Sequence, residues 1–183
     1  MPARVRPSGE LSTYSNYGTA LAGNIVEQIS GQSFEQYVEE HILKPLDMQH
    51  STIRQPIPAN LSDDLAVGYA YAEGTYHVEP FVYTQMPPAG SMFTTARAMA
   101  NFMIAHLQDG QFDNTRILEA NTMQQMHRQL FTNDPKVSGW AHGFMESNLN
   151  NQQMLWHTGE TPLFHYLEHA VEAARPHFIL SGR

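Results

Sequence analysis

Two short stretches, far apart in the sequence, carry side chains suited to acid–base chemistry. Tyr14 and Asn16 are separated by one residue, and His157, Thr158 and Gly159 follow much later. A phenol at the entrance of a helix can act as a base, and an amide beside it can orient a carbonyl group. Taken alone, the Tyr-x-Asn pair is more typical of an aromatic residue that packs on the following helix, because short motifs discriminate poorly.

Helical patterns follow the first stretch directly. Apolar residues share one helical face between about residues 17 and 29, and Gly31 stands where a helix C-terminus favours glycine. Ser33 and Gln36 form a capping-box pattern that begins a second helix, which we expect to end near Pro45. The entrance of the first helix therefore positions the first candidate stretch.

The middle of the chain is less regular. Prolines interrupt the apolar groups between residues 51 and 90, which predicts irregular structure with a small hairpin near 69–78. Thr94 or Thr95 can cap a helix that ends at Asp109-Gly110, and a shorter helix is expected from Glu119 to Arg128.

The second candidate stretch lies in a region that favours strands. Apolar runs at 143–145 and 154–157 flank an Asn-rich turn at 148–151, and 178–180 is a closing strand. The spacing in 164–171 suits either a helix or a strand that turns at 172–176. Helices followed by antiparallel strands place the chain in the α/β (α+β) class.

Composition excludes several classes of function. A formal net charge of -8 with ten scattered basic residues disfavours binding to nucleic acid. The absence of cysteine excludes disulfides, thiolate catalysis and zinc–thiolate sites. No segment approaches the ~20 apolar residues that a membrane span requires, and we recognise no secretory signal near Met1.

Further motifs occur in a fixed order along the chain. They are Tyr14-Ser15-Asn16-Tyr17-Gly18, Ile25-Val26-Glu27, Ser30-Gly31, Phe34, Ile42, Lys44-Pro45-Leu46, Met48, Pro88-Ala89-Gly90-Ser91, Thr95-Ala96, Met99-Ala100 and Phe102-Met103. In this order they resemble the serine β-lactamase-like hydrolases, which include class C β-lactamases, penicillin-binding D,D-peptidases and related esterases. The resemblance runs from about residue 6 to the end, and it implies a β-lactamase/transpeptidase-like fold.

The resemblance also implies roles for the two stretches. Members of this family use a Ser-x-x-Lys nucleophile, a Tyr-x-Asn element and a Lys-or-His-Thr-Gly strand at the edge of the sheet. By resemblance, Tyr14 would be the general base and Asn16 would hydrogen-bond the acyl-amide group of the substrate. His157 and Thr158 would hold a carboxylate or carbonyl on the far side of the cleft.

The end of the His-Thr-Gly motif would contact the substrate through its backbone. Gly159 would permit close approach, and the N–H of Glu160 is a candidate oxyanion donor. The implied substrate is a small molecule or peptide, which could be a lactam, a D-alanyl peptide or an ester. No cofactor or metal is expected, and the family tendency is to work outside the cytoplasm.

The chain departs from the family pattern at the nucleophile. Its two lysines are Lys44 and Lys136, and the residues three places earlier are His41 and Asn133, so no Ser-x-x-Lys is present. In the family that motif lies upstream of Tyr-x-Asn. We therefore expect residues 1–183 to form a single incomplete domain, mostly helical over about 14–135 and built of antiparallel strands over about 139–183.

This departure leaves two hypotheses. The chain is a fragment or homologue of an acyl-enzyme hydrolase that is inactive alone, or it is a non-catalytic homologue that binds a peptide, ester or cell-wall fragment. In either case, without the upstream segment that carries Ser-x-x-Lys in the family, strand edges would be exposed to other chains, and we expect that self-association can occur through them.

Three other features invite a functional interpretation. The His165–His169 segment matches His-x-x-Glu-His, a zinc-peptidase pattern that requires a helix, with Glu172 as the nearby acidic residue. Because the family comparison puts this segment on a strand, we disfavour zinc. Ser91 lacks a nucleophile's motif and suits a turn or cap. Trp140 and Trp156 suit a structural role, or an aromatic rim beside His157 that touches substrate.

Overall fold

The chain folds into a helical region followed by an antiparallel sheet, as a computed structural model shows. The structure describes Ala3 and residues 5–161, 164–171 and 178–182, with residues 165–171 and 178–182 as backbone only. The helices are α1 (Asn16–Ser30), α2 (Phe34–Val38), α3 (Ala59–Ser62), α4 (Pro87–Gly90), α5 (Ala96–Leu107) and α6 (Ala120–His127). The strands are β1 (Tyr69–Ala72), β2 (Thr75–Val78), β3 (Gln111–Phe112), β4 (Thr115–Arg116), β5 (Met145–Leu149), β6 (Gln152–Glu160), β7 (His165–Val171) and β8 (Phe178–Gly182).

Local sequence sets both ends of α1. The hydroxyl of Ser15 accepts a hydrogen bond from the N–H of Gly18 at 3.2 Å, so this residue is the N-cap. At the other end, Gly31 adopts a left-handed conformation with φ 72°, and its N–H donates to the carbonyl of Glu27. The predicted helix and its glycine stop are confirmed.

The second predicted helix is also present, and it changes from an α-helix to a π-helix halfway along. Ser33 caps α2 by accepting from the N–H of Gln36 at 3.2 Å, as the capping-box pattern predicts. Residues Glu39–Leu43 continue α2 as a π-helical turn. The apolar core of the helical region forms around this turn and α5. Its buried members are Val38, Leu43, Leu46, Met48, Ile53, Ala98 and Ala105.

The irregular middle segment is tied to this core by backbone pairing. Thr52 and Phe93 exchange two N–H···O bonds of 2.9 and 2.8 Å. Ser91 is 1% exposed, and its hydroxyl lies 2.8 Å from the carbonyl oxygen of Ile53 and 2.9 Å from that of Pro87. This position ends α4, so Ser91 occupies a cap, as predicted. The predicted hairpin at 69–78 is the pair β1–β2.

Two buried histidines join α5 to α6. Thr95 caps α5 through a 3.1 Å bond from the N–H of Ala98, which confirms one of the two predicted caps. Near the other end of α5, Nδ1 of His106 lies 3.0 Å from Nε2 of His127, and both rings contact Phe144. Burial and the neighbouring His127 lower the pKa of His106 to about 4.

The last four strands form one antiparallel sheet in the order β5-β6-β7-β8. Its first turn places Asn150 and Asn151 at φ 53° and 61°, and asparagine tolerates this left-handed region better than most residues. β7 resolves the sequence ambiguity at 164–171 in favour of a strand, because its backbone pairs with both β6 and β8. The turn predicted at 172–176 lies outside the described residues.

One face of α1 remains open to water. Leu21, Ile25 and Ile29 lie four residues apart and are 44%, 50% and 82% exposed. The buried residue of this helix is Gly23 instead. The sequence predicted the shared apolar face correctly, but the described residues do not cover it. Among them, no helix has both the length and the apolar character needed to cross a bilayer.

The close packing of α1 on α4 makes a testable prediction at Gly23. A Cβ at this position would lie 2.5 Å from Cγ and 2.6 Å from Cβ of Pro88, whose ring is rigid. We therefore expect Gly23→Ala to lower the free energy of unfolding by about 1–3 kcal/mol, measured by denaturant titration.

Gly18→Ala is the matched control within the same helix. Its added Cβ would meet Ser15 at 3.7 Å, an ordinary contact, so alanine's helix preference should leave stability equal or raise it by up to about 1 kcal/mol. Equal stability of the two variants would contradict the close approach of α1 and α4.

The buried histidine pair predicts acid sensitivity. Folding keeps His106 neutral, with a pKa of about 4 against an ordinary value of 6.5, so below about pH 6.5 the unfolded chain binds a proton that the folded chain does not. We expect each pH unit lost between about 6.5 and about 4 to lower the free energy of unfolding by on the order of 1 kcal/mol.

Denaturant titrations at several pH values measure this effect. His106→Gln should flatten the dependence, whereas His77→Gln, which alters an exposed histidine on β2, should leave it unchanged. A His106→Gln variant that retains the full acid sensitivity would refute the assignment.

Candidate active site

The entrance of α1 holds the first two candidate residues in defined positions. Ser15 is the N-cap, so Tyr14 is the last residue of the preceding loop and Asn16 is the first residue of the helix. Both side chains are exposed, with 49% of Tyr14 accessible. The loop is anchored across the molecule, because the N–H of Ser12 donates to Oδ1 of Asn133 at 2.8 Å.

The second stretch lies at the far end of β6. β5 pairs with Gln152–Trp156 of this strand, whereas residues 157–160 pair with β7. Within the described part of the chain, the other edge of 157–160 therefore has no strand beside it. The resemblance implied an edge strand for this motif. β6 is instead an inner strand of the sheet, between β5 and β7, but its residues 157–160 extend beyond the end of β5.

The structure brings the phenol and the imidazole together. The ring centroids of Tyr14 and His157 lie 5.7 Å apart, with an angle of 54° between the ring planes. This distance and tilt are those of a direct contact between aromatic rings. The entrance of a helix and the end of a strand thus face one shared surface.

A hydrogen bond to a backbone carbonyl assigns a proton to one nitrogen of the His157 ring. Nδ1 lies 2.6 Å from the carbonyl oxygen of Thr158. A carbonyl oxygen can only accept, so Nδ1 carries the proton of this bond. Nε2 is then the nitrogen left for a ligand, as an acceptor in the neutral ring and as a donor in the protonated ring.

The other predicted site residues follow these two along the chain. Thr158 and Glu160 are exposed and Gly159 is partly buried, all on the motif half of β6. Asn16 lies beside Tyr14 at the helix entrance. The contact between Tyr14 and His157 is what links the two groups.

Trp140 also contacts this site. Its ring lies 6.4 Å from that of Tyr14, with an interplanar angle of 26°, which is a stacked arrangement. The sequence suggested either a structural role or a rim near His157, and it gave no sign of the contact with Tyr14. That contact depends on tertiary structure, because the two residues lie on segments distant in the sequence.

The zinc-like motif does not have the geometry that its pattern requires. The motif needs two histidines on successive turns of a helix, and His165–Val171 is a β-strand. Glu172, the possible third ligand, lies outside the described residues. Within the described residues, no group of three or more His, Cys, Asp or Glu side chains could hold a metal ion.

Comparison with known proteins shows the family. Residues 2–171 match the family described as Beta-lactamase. Beta-lactamase-like protein 2 of Dictyostelium discoideum is 32% identical over 123 residues, which are 66% of this chain and 21% of that protein.

Solved structures show the same fold. A class C beta-lactamase superposes with a TM-score of 0.79 at 18% identity, covering 98% of this chain and 54% of that one. An octameric penicillin-binding protein homologue from Pyrococcus abyssi superposes with a TM-score of 0.77 at 22% identity, covering 92% and 37%.

These matches confirm the α+β fold predicted from the sequence. The chain spans only part of each of these relatives, from 21% to 54% of their length. The match over residues 2–171 establishes that the chain belongs to the β-lactamase family and has β-lactamase-like serine hydrolases as its homologues.

Proposed function

We propose that this chain forms one part of the cleft of a serine hydrolase of the β-lactamase, D,D-peptidase or esterase type, which acts through an acyl-enzyme. The observation that carries the proposal is the 5.7 Å contact between the rings of Tyr14 and His157. These residues belong to the two family motifs that the chain retains. Their meeting at one surface is what a shared cleft requires.

The helix entrance would supply the proton-transfer group. Tyr14 would accept the proton of a serine hydroxyl as the serine oxygen attacks the substrate carbonyl, and would later return a proton to the leaving group. Asn16, one residue inside α1, would hydrogen-bond the acyl-amide group of the substrate and so orient the carbonyl.

The end of β6 would hold the substrate from the other side. Nε2 of His157 is the ring nitrogen left for a ligand; in the protonated ring it would donate, together with the Thr158 hydroxyl, to a carboxylate or carbonyl of the substrate. Gly159 would let the substrate approach the backbone. The N–H of Glu160 would be one oxyanion donor, and the amide of the nucleophile would be the second.

The nucleophile itself must come from outside these 183 residues, because they contain no Ser-x-x-Lys. We propose that residues 1–183 are a single incomplete domain. The open apolar face of α1 (Leu21, Ile25 and Ile29) supports this proposal, since a continuous exposed stripe of large apolar side chains usually marks a surface that something else covers.

A second candidate is a homologue that binds without catalysis. The absence of the nucleophile motif favours it for the chain as given. It would use the same groove for a peptide, an ester or a cell-wall fragment. The coding sequence immediately upstream separates the two candidates, because an in-frame Ser-x-x-Lys there would mark a hydrolase.

The proposed partners are a small-molecule or peptide substrate and further copies of the chain. A lactam, a D-alanyl peptide and an ester all fit one cleft of this kind, since folds of this type are reused for different substrates. Self-association would use strand edges such as that of residues 157–160. The octameric homologue from Pyrococcus abyssi is consistent with such assembly.

The purified chain alone should hydrolyse a chromogenic cephalosporin or a nitrophenyl ester no faster than buffer. The reason is that no serine–lysine pair is present to form the acyl-enzyme. Absorbance assays over several protein concentrations measure this. Hydrolysis that scales with the concentration of the chain would overturn the assignment of an absent nucleophile.

Adding a Ser-x-x-Lys-containing segment of a relative in trans, or fusing it upstream, should create measurable hydrolysis. In that complex, Tyr14→Phe should lower kcat by about 100-fold or more, because the ring is kept while the proton acceptor is lost.

The matched control is Tyr76→Phe, which removes the same hydroxyl from an exposed tyrosine on β2. We expect its kcat to equal that of the unmodified complex. A Tyr14→Phe complex with unchanged turnover would refute the role of Tyr14 as base.

A further inference from the structure

Two other rings, those of Trp140 and His157, contact the ring of Tyr14. The residue lies in the loop just before α1 and is 49% exposed. The anchors of this loop act on its backbone: the Ser12 N–H bonds to Asn133, and Ser15 caps the helix. These contacts fix the Tyr14 backbone, and two side-chain torsions then set the orientation of the phenol ring.

The indole of Trp140 restricts those torsions. It stacks on Tyr14 with a centroid separation of 6.4 Å and an angle of 26°. The Tyr14 ring contacts His157 as well, at 5.7 Å. An aromatic pair contributes stability beyond its buried area, which is enough to favour one rotamer over another.

Trp140 can position another ring because its own backbone is held firmly. Its N–H donates to the carbonyl of Phe131 at 2.8 Å. Its carbonyl accepts from the N–H groups of Leu130 and Phe131 at 2.6 and 3.1 Å. It also forms an isolated bridge with Met145, the first residue of β5. The indole is therefore attached to the sheet rather than to a free loop.

A buried carboxylate, that of Glu146, also holds the backbone of Gly139, the residue before Trp140. Glu146 is 7% exposed and accepts from the N–H of Gly139 at 3.1 Å, as well as from the side-chain amides of Gln129 and Gln153 at 2.5 and 3.1 Å. The N–H of Glu146 donates in turn to the Gly139 carbonyl at 3.0 Å. A Cβ on Gly139 would lie 2.3 Å from the carbonyl oxygen of Phe131, so this close approach requires glycine.

We propose that Trp140 is a positioning residue, which holds the ring of Tyr14 against His157 through its stacked indole. The inference rests on the proposed function for its catalytic meaning, but its structural content concerns this chain alone. Glu146 holds the backbone at Gly139, next to Trp140. The indole of Trp140 in turn contacts the Tyr14 ring.

The test is a two-dimensional NMR experiment on the chain alone. Nuclear Overhauser effects (NOEs) between the ring protons of Tyr14 and His157 report their contact directly and need no turnover. We expect Trp140→Leu to weaken these NOEs at least severalfold while the chain remains folded by circular dichroism. Trp140→Phe should preserve most of their intensity, because a phenyl ring can still stack.

Trp156→Phe is the matched control. It changes the chain's other tryptophan, which is adjacent to His157 but points to the opposite face of β6 from it. We expect the NOEs between Tyr14 and His157 to persist in this variant. Unchanged NOEs in Trp140→Leu, or equal loss in Trp140→Leu and Trp140→Phe, would overturn the proposal.

If Trp140→Leu does not fold, the unmodified chain still decides the question. NOEs between the Trp140 indole and the Tyr14 ring must then be present, and their absence would overturn the proposal.

In a complex completed with the nucleophile segment, Trp140→Leu should lower kcat by on the order of tenfold or more with little change in KM, because a misplaced base slows the chemical step. A fall in stability with unchanged kcat would overturn the positioning role. If the complex shows no hydrolysis at all, the NOE result on the chain alone still tests the positioning role. Failure of the proposed function is therefore distinguishable from failure of the positioning role.

Discussion

The contact between the rings of Tyr14 and His157 joins the entrance of a helix to the end of a strand, and all the proposed chemistry depends on it. Neither residue alone differs from an ordinary surface aromatic or histidine. Acyl transfer needs the proton acceptor and the substrate-binding group at one surface, within the length of a small substrate. A shift of either segment by a few ångströms would separate them.

The scaffold on the two sides of this contact is built differently. On the helical side, apolar packing around Leu46, Met48 and Ile53 supports the elements that follow α1. On the sheet side, the buried carboxylate of Glu146 accepts three hydrogen bonds and so organises the turn that carries Trp140. Directional bonds hold one backbone conformation more tightly than apolar contacts do, which suits a segment that must place a ring accurately.

Two surfaces are left open by the described residues. Leu21, Ile25 and Ile29 extend along α1 away from its entrance, and residues 157–160 of β6 lack a strand on one edge in the described part of the chain. Exposed apolar side chains and unpaired strand edges are both features that proteins normally cover. Both features support the proposal that residues 1–183 are part of a larger domain.

The amino-acid sequence by itself determined the local structure. Ser33 as a cap, Thr95 as one of two candidate caps, Gly31 as a stop and the Asn-rich turn before β6 were predicted, because each depends on interactions within a few residues. The order of motifs was also sufficient to predict the family. The strand at 165–171 could not be separated from a helix by periodicity, since its state depends on pairing with β6 and β8.

Only the tertiary structure decided which distant residues meet. The stacking of Trp140 on Tyr14, the His106–His127 pair and the exposure of the apolar face of α1 have no local signature. Each depends on how segments far apart in the chain pack, and short-range patterns carry no information about such packing. Residue types therefore determined what chemistry is available, and long-range packing decided where that chemistry can occur.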